Sequence, residues 1–177
     1  YYKPCILDKK NKTTVLKYLY SHNYDNGLKL MEHSYIGNNF VGAFESLIAK
    51  TPQRVVWGGD YAEPCKNRKT NTYDRCNDKN EANPITPNQD KFQEKFKFIV
   101  NHTKKEFVDK TKVPEIEGWD GTKIHPLPLL TCEGNGQGGG DFRGDEKGIV
   151  GSWARDLISV ESKIPKDFKE IIFDLVE

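Results

Sequence analysis

The chain has 177 residues, 27 Lys+Arg against 26 Asp+Glu and a net charge of +1. That length supplies one domain able to bury a core, so residues 1–177 are read as a single domain. The balanced charge gives no general reason to expect extended nucleic acid as a partner, which demands clustered positive charge. No apolar run reaches the roughly 18 residues that would span a bilayer.

In chain order, residues 3–8 suit a short strand, and 13–20 suit either a second strand or a short helix, since the spacing of their apolar residues does not decide. Residues 27–33 alternate weakly and read as a strand. Asn38 or Asn39 caps a helix over about 38–50, where apolar residues at 40, 41, 44, 47 and 48 make one face and Pro52 ends the run. Residues 54–61 are rich in β-branched and aromatic types and predict the central strand. That strand delivers Asp60 to its C-terminal end, either as a site residue or as a plain turn acid.

Residues 62–91 form a long polar loop or arm, which suits a lid, a protein contact or a solvated insertion. Residues 96–100 and 106–109 predict a β-hairpin with His102, Lys104 and Lys105 at its turn. A strand is expected over 149–160, carrying Trp153 and placing Arg155 and Asp156 on opposite faces, one of them buried and paired. Residues 168–176 suit a closing strand or a helical turn. The sum is an α+β domain: a largely antiparallel sheet, one main helix and long loops, as the mean hydropathy of −0.75 also suggests.

Four cysteines, Cys5, Cys65, Cys76 and Cys132, are too few and too scattered for a disulfide scaffold. Cys65 and Cys76 flank a polar loop and could clip it; the other reading is free thiols in a reducing cytosol. No Cys-x-x-Cys pair or nearby histidine suggests zinc, so no metal and no cofactor are expected. No secretory signal pattern opens the chain, and a cytoplasmic protein is expected.

Residues 124–144 draw the most attention: His125-Pro126-Leu127-Pro128 makes a rigid, extended entry into a loop with six glycines. Gly134, Gly136 and Gly139 satisfy the dinucleotide string, but no helix can follow through Gly140-Asp141-Phe142-Arg143-Gly144, so NAD binding is rejected. A phosphate loop of the Gly-Lys-Ser/Thr type is absent as well. Exposed backbone N–H groups along such a loop make an anion-binding concavity. Asn135, Gly136, Gly138, Gly139, Gly140, Asp141 and Arg143 are the ligand-binding candidates, with His125 as donor or base and Trp153 or Trp57 as a stacking face. The alternative reading is a packing loop held against those tryptophans.

The segments Val100-Asn101-His102-Thr103-Lys104-Lys105, His125-Pro126-Leu127-Pro128-Leu129-Leu130 and Gly134-Asn135-Gly136 through Asp141 resemble small uncharacterised proteins of bacteria and their phages. The resemblance covers the C-terminal half only. It implies a cytosolic setting and brings no known activity.

Three functions are therefore expected in order. The first is a small binding protein holding a phosphorylated or nucleotide-like ligand, such as a phage-encoded protein that sequesters a host signalling nucleotide. The second is a protein–protein inhibitor or immunity-type module using 62–91. The third is a hydrolase or transferase using His125 with Asp60 or Asp141.

Overall fold

A computed structural model describes residues 1–30, 33–135, 137 and 148–174. Among them lie nine strands: β1 (Tyr2–Leu7), β2 (Val15–Leu19), β3 (Gln53–Gly59), β4 (Glu81–Ala82), β5 (Phe98–Asn101), β6 (Glu106–Asp109), β7 (Cys132–Glu133), β8 (Leu157–Glu161) and β9 (Lys169–Glu170). They form one sheet in the order β4-β2-β1-β3-β8-β5-β6-β9, with β7 also on β3. Three helices accompany it: α1 (Asn39–Ile48), α2 (Gln89–Lys95) and α3 (Pro126–Thr131).

The α+β class holds, but the sheet is mixed. The pairs β1–β2, β1–β3, β3–β8, β5–β8 and β5–β6 are antiparallel, whereas β2–β4, β3–β7 and β6–β9 are parallel. Each parallel pair adds a two-residue strand that arrives after a long connection, the route a parallel neighbour requires.

Helix α1 forms where the spacing predicts one. Asn38 Oδ1 accepts from the backbone N–H groups of Phe40 (2.8 Å) and Val41 (3.1 Å), which satisfies two donors at the helix start. The buried face then carries Phe40, Val41, Phe44 and Ile48 into the main core. Alternation along the central strands divides the apolar residues between two faces. Ile6, Val55 and Trp57 join α1 and the α3 leucines in the main core, while Cys5, Leu7 and Val56 join Tyr18 in a smaller cluster.

Three segments depart from the sequence reading. Residues 27–30 and 33 are irregular, not a strand, and 31–32 lie outside the described residues. The His-Pro-Leu-Pro run is not extended but opens α3. Prolines are tolerated in a first turn because the N–H groups they lack have no partner within the helix, and His125 Nδ1 accepts the Leu127 N–H at 3.1 Å as the cap. Of the strand expected over 149–160, only Leu157 onward is strand. Gly151 at φ 75 and Arg155 at φ 68 stand in the left-handed region, which breaks extended backbone upstream.

Candidate functional site

One edge of β3 is shared between two strands. Its first half pairs with β8 through Gln53↔Ile158 and Arg54↔Leu157, and its second half with β7 through Trp57↔Cys132 and Gly58↔Glu133. Between these, Arg155 N donates to Val55 O at 2.8 Å and Val55 N to Asp156 O at 3.1 Å. The chain therefore leaves β3 after Glu133 and returns to the same edge at Arg155. The returning side is tied further to α3, by Gly151 N to Leu129 O and Trp153 N to Leu130 O, both 2.8 Å. Two glycines allow this close approach. A Cβ on Gly59 would lie 2.6 Å from Glu133 O, and one on Gly151 would lie 2.9 Å from Cys132 O.

A side-chain clamp closes the stem. Arg155 Nε and Nη2 donate to the two Glu133 carboxylate oxygens at 2.6 and 2.7 Å, a bidentate fork. Nη2 also meets Thr72 Oγ1 at 2.7 Å and Cys65 Sγ at 3.5 Å, and Nη1 reaches Lys12 O. Beneath it, Arg54 Nη1 donates to Arg155 O at 2.7 Å, and Arg54 Nε and Nη2 hold Lys9 O. The clamp thus joins five stretches of chain, at residues 9–12, 54, 65–72, 133 and 155. Arg155→Lys keeps the charge but loses the fork. We expect it to lower stability by about 1.5–3 kcal/mol, read from the urea-unfolding midpoint.

Of the residues singled out in the sequence, Gly136, Gly138, Gly139, Gly140, Asp141 and Arg143 lie outside the described residues. Asn135 is exposed, and its Oδ1 accepts the Gln137 N–H at 3.0 Å. Trp153 and Trp57 are both 1% exposed and belong to the main core, so neither offers an open ring face. Trp153 Nε1 donates to Glu106 Oε1 at 3.2 Å. Asp60 follows β3 as expected and accepts from the Tyr1 amino nitrogen at 2.9 Å.

His125 is fully buried and meets neither Asp60 nor open solvent. Its Nε2 lies 3.0 Å from Glu45 Oε1, near in distance but outside hydrogen-bond geometry. Because Nδ1 accepts the Leu127 N–H, the ring proton sits on Nε2 and the imidazole is neutral. Burial pushes its pKa down against the pull of Glu45. Glu45 itself receives Lys110 Nζ at 2.6 Å and Gln93 Nε2 at 2.8 Å, and Lys110 Nζ also donates to Gln93 Oε1 at 2.6 Å. Burial alone would raise the Glu45 pKa, but its polar neighbours, the Lys110 ammonium foremost, outweigh it and bring it to about 2. This is an internal cross-brace between α1, α2, the turn after β6 and the cap of α3.

Sequence reasoning missed three features. Glu45 reads as a polar residue on an apolar helix face, and nothing local announces Lys110 as its partner. His102 Nε2 lies 2.7 Å from Ser159 Oγ, a pair made by β5–β8 register, with no carboxylate hydrogen-bonded to the ring's other nitrogen among the described residues. The sequence leaves open whether Arg155 or Asp156 is the buried, paired residue, and the Arg155 partner Glu133 becomes adjacent only when β7 docks on β3. The 62–91 stretch is held in place as well: Asn71 Nδ2 donates to Asp60 O and Ala62 O, both at 3.0 Å, and the stretch contributes β4 and the start of α2.

Set against known proteins, the chain matches no family model, no curated protein and no solved structure. Among the described residues no helix is long and apolar enough to cross a membrane, and no group of His, Cys, Asp or Glu could hold a metal ion. Function therefore rests on the site's own chemistry.

Proposed function

We propose that this chain is a small binding protein that takes a phosphorylated or nucleotide-like ligand in its glycine-rich loop, residues 134–144. The observation that supports it is the stem: both ends of the loop-bearing stretch return to one edge of β3, locked by the Glu133–Arg155 fork. A rigid base lowers the ordering cost of a loop whose glycines are otherwise entropically expensive. The anion would be met by backbone N–H groups and Arg143, with Asp141 accepting from a hydroxyl or amine. Arg155 is committed to the stem, and the buried tryptophans are committed to the core. The charged group, rather than a stacked ring, therefore dominates recognition. Sequestration of a signalling nucleotide suits this reading better than turnover, because His125 is braced inside the protein.

The test is thermal shift against nucleoside mono-, di- and triphosphates, cyclic nucleotides and inorganic phosphate. A ligand at about a hundred times its Kd adds ~2.7 kcal/mol, or about 5–10 °C for a chain of this size. Arg143→Ala should remove that rise while leaving the unliganded melting temperature in place, and the nucleotide should be recovered unchanged. A panel without any shift overturns the reading.

A further inference from the structure

On the face of the sheet away from α1 and α3, two thiols face each other across 71 residues of chain. Cys5 Sγ and Cys76 Sγ are 3.3 Å apart. Cys5 lies in the middle of β1, fixed between Tyr18 of β2 and Val56 of β3, and is completely buried. Cys76 is partly exposed and ends a short 3-10 turn, Tyr73–Arg75, where its N–H donates to Tyr73 O at 3.3 Å. Each sulfur also faces a backbone carbonyl, Cys5 that of Lys3 at 3.4 Å and Cys76 that of Thr72 at 3.5 Å. Cys65, the partner that spacing suggests for Cys76, points elsewhere, towards Thr72 Oγ1 at 3.4 Å and the Arg155 guanidinium.

We infer that Cys5 and Cys76 are a disulfide-forming pair, an oxidative modification site that clips the 62–80 stretch onto the sheet when the protein meets a low-molecular-weight disulfide. The chemistry follows from their unequal exposure. The Cys76 thiolate, the accessible one, attacks a disulfide RSSR, forming a mixed disulfide and releasing one RS⁻. Cys5, shielded from outside reagents, then attacks the Cys76 sulfur, forming the internal S–S bond and releasing the second RS⁻. Two protons leave with the two thiolates, and RSSR is reduced to two RSH. Burial and the neighbouring Cys76 thiol raise the Cys5 pKa, which keeps Cys5 from making the first attack, and its resolving attack rests on a target sulfur already 3.3 Å away. The clip reaches the loop stem through one residue. Cys76 Sγ touches the Thr72 carbonyl, and the Thr72 hydroxyl receives Arg155.

The experiment treats the whole chain with oxidised glutathione, alkylates remaining thiols, digests with trypsin and records melting temperature with and without reductant. The three thiols fall on separable peptides, Cys5 on 1–9, Cys65 on 55–66 and Cys76 on 76–79. The expected result is a 1–9/76–79 cross-link, a mass loss of two hydrogens, and a melting temperature raised by about 10 °C that dithiothreitol reverses. Cys76→Ser should abolish all three and Cys65→Ser should leave them intact. Alkylation of both Cys5 and Cys76 after oxidation, a 55–66/76–79 cross-link, or an unchanged melting response in Cys76→Ser overturns the inference.

Discussion

Glu45→Ala is expected to cost about 3–5 kcal/mol of folding stability, measured by urea unfolding. The side chain is completely buried, and its partner Lys110 is 3% exposed. Removing the carboxylate strands an ammonium in the core, left among the described residues with Gln93 Oε1 as acceptor and the Phe92 ring beside it. It also leaves Gln93 Nε2 with only the longer bond to Gln89 Oε1 at 3.3 Å and the His125 Nε2–H facing a void. A buried pair contributes little beyond what apolar residues of the same volume would, because desolvating both charges offsets most of their attraction. The double variant Glu45→Leu/Lys110→Met should therefore recover a large part of the loss, and a double variant as unstable as the single one would refute this account.

The pH dependence of the wild type carries a second signature of the same brace. The folded-state pKa of Glu45 is depressed from the ordinary 4.5 to about 2, so its contribution is fully present above the unfolded value and is lost as pH falls towards 2. His125 is depressed from 6.5, so the unfolded state takes up its proton first and stability already declines as pH drops below that value. Both groups act in the same direction. Stability should fall on acidification from about pH 6.5, and Glu45→Ala should make the lower part of that decline shallower, Asp8 contributing to what remains.

Trp57→Ala is expected to cost a similar amount, about 3–5 kcal/mol, through a cavity that its neighbours cannot refill. Trp57 is 1% exposed and packs edge-to-face on Phe44 at 5.1 Å and Phe40 at 6.1 Å between ring centroids. Its backbone position matters equally, for Trp57 is the residue of β3 that pairs with Cys132 of β7. Loss of the indole should loosen the stem as well as the core. Hydrogen exchange at the β3–β7 pairing should accelerate more than at β5–β6, whereas equal acceleration would mean that the stem does not depend on this ring. Trp57→Phe, which keeps an aromatic against Phe44, should cost less.

Helix α1, the central strand β3 and the β5–β6 hairpin were legible in the sequence because each is specified locally: a cap and a one-sided apolar face, a β-branched run, two alternating stretches around a polar turn. So were Asp60 at the end of β3 and the glycine density of 134–144. The helical state of residues 126–131 was not legible, since two prolines look like an extended run until a buried His125 caps them. The parallel strands β4 and β7 were equally hidden, each only two residues long and without a periodic pattern, whereas β9 falls within residues 168–176, where a closing strand or a helical turn was expected.

The sequence by itself determined which segments are apolar on one side, and that one stretch is dense in glycine. Only the tertiary structure decided which polar residues are partners. Glu45 with Lys110, Glu133 with Arg155, His102 with Ser159 and Cys5 with Cys76 are between 22 and 71 residues apart and share no local pattern. The reason is physical. Strand and helix periodicity act over a few residues, whereas a buried charge or thiol finds its partner through sheet register and helix docking, which the whole core fixes together.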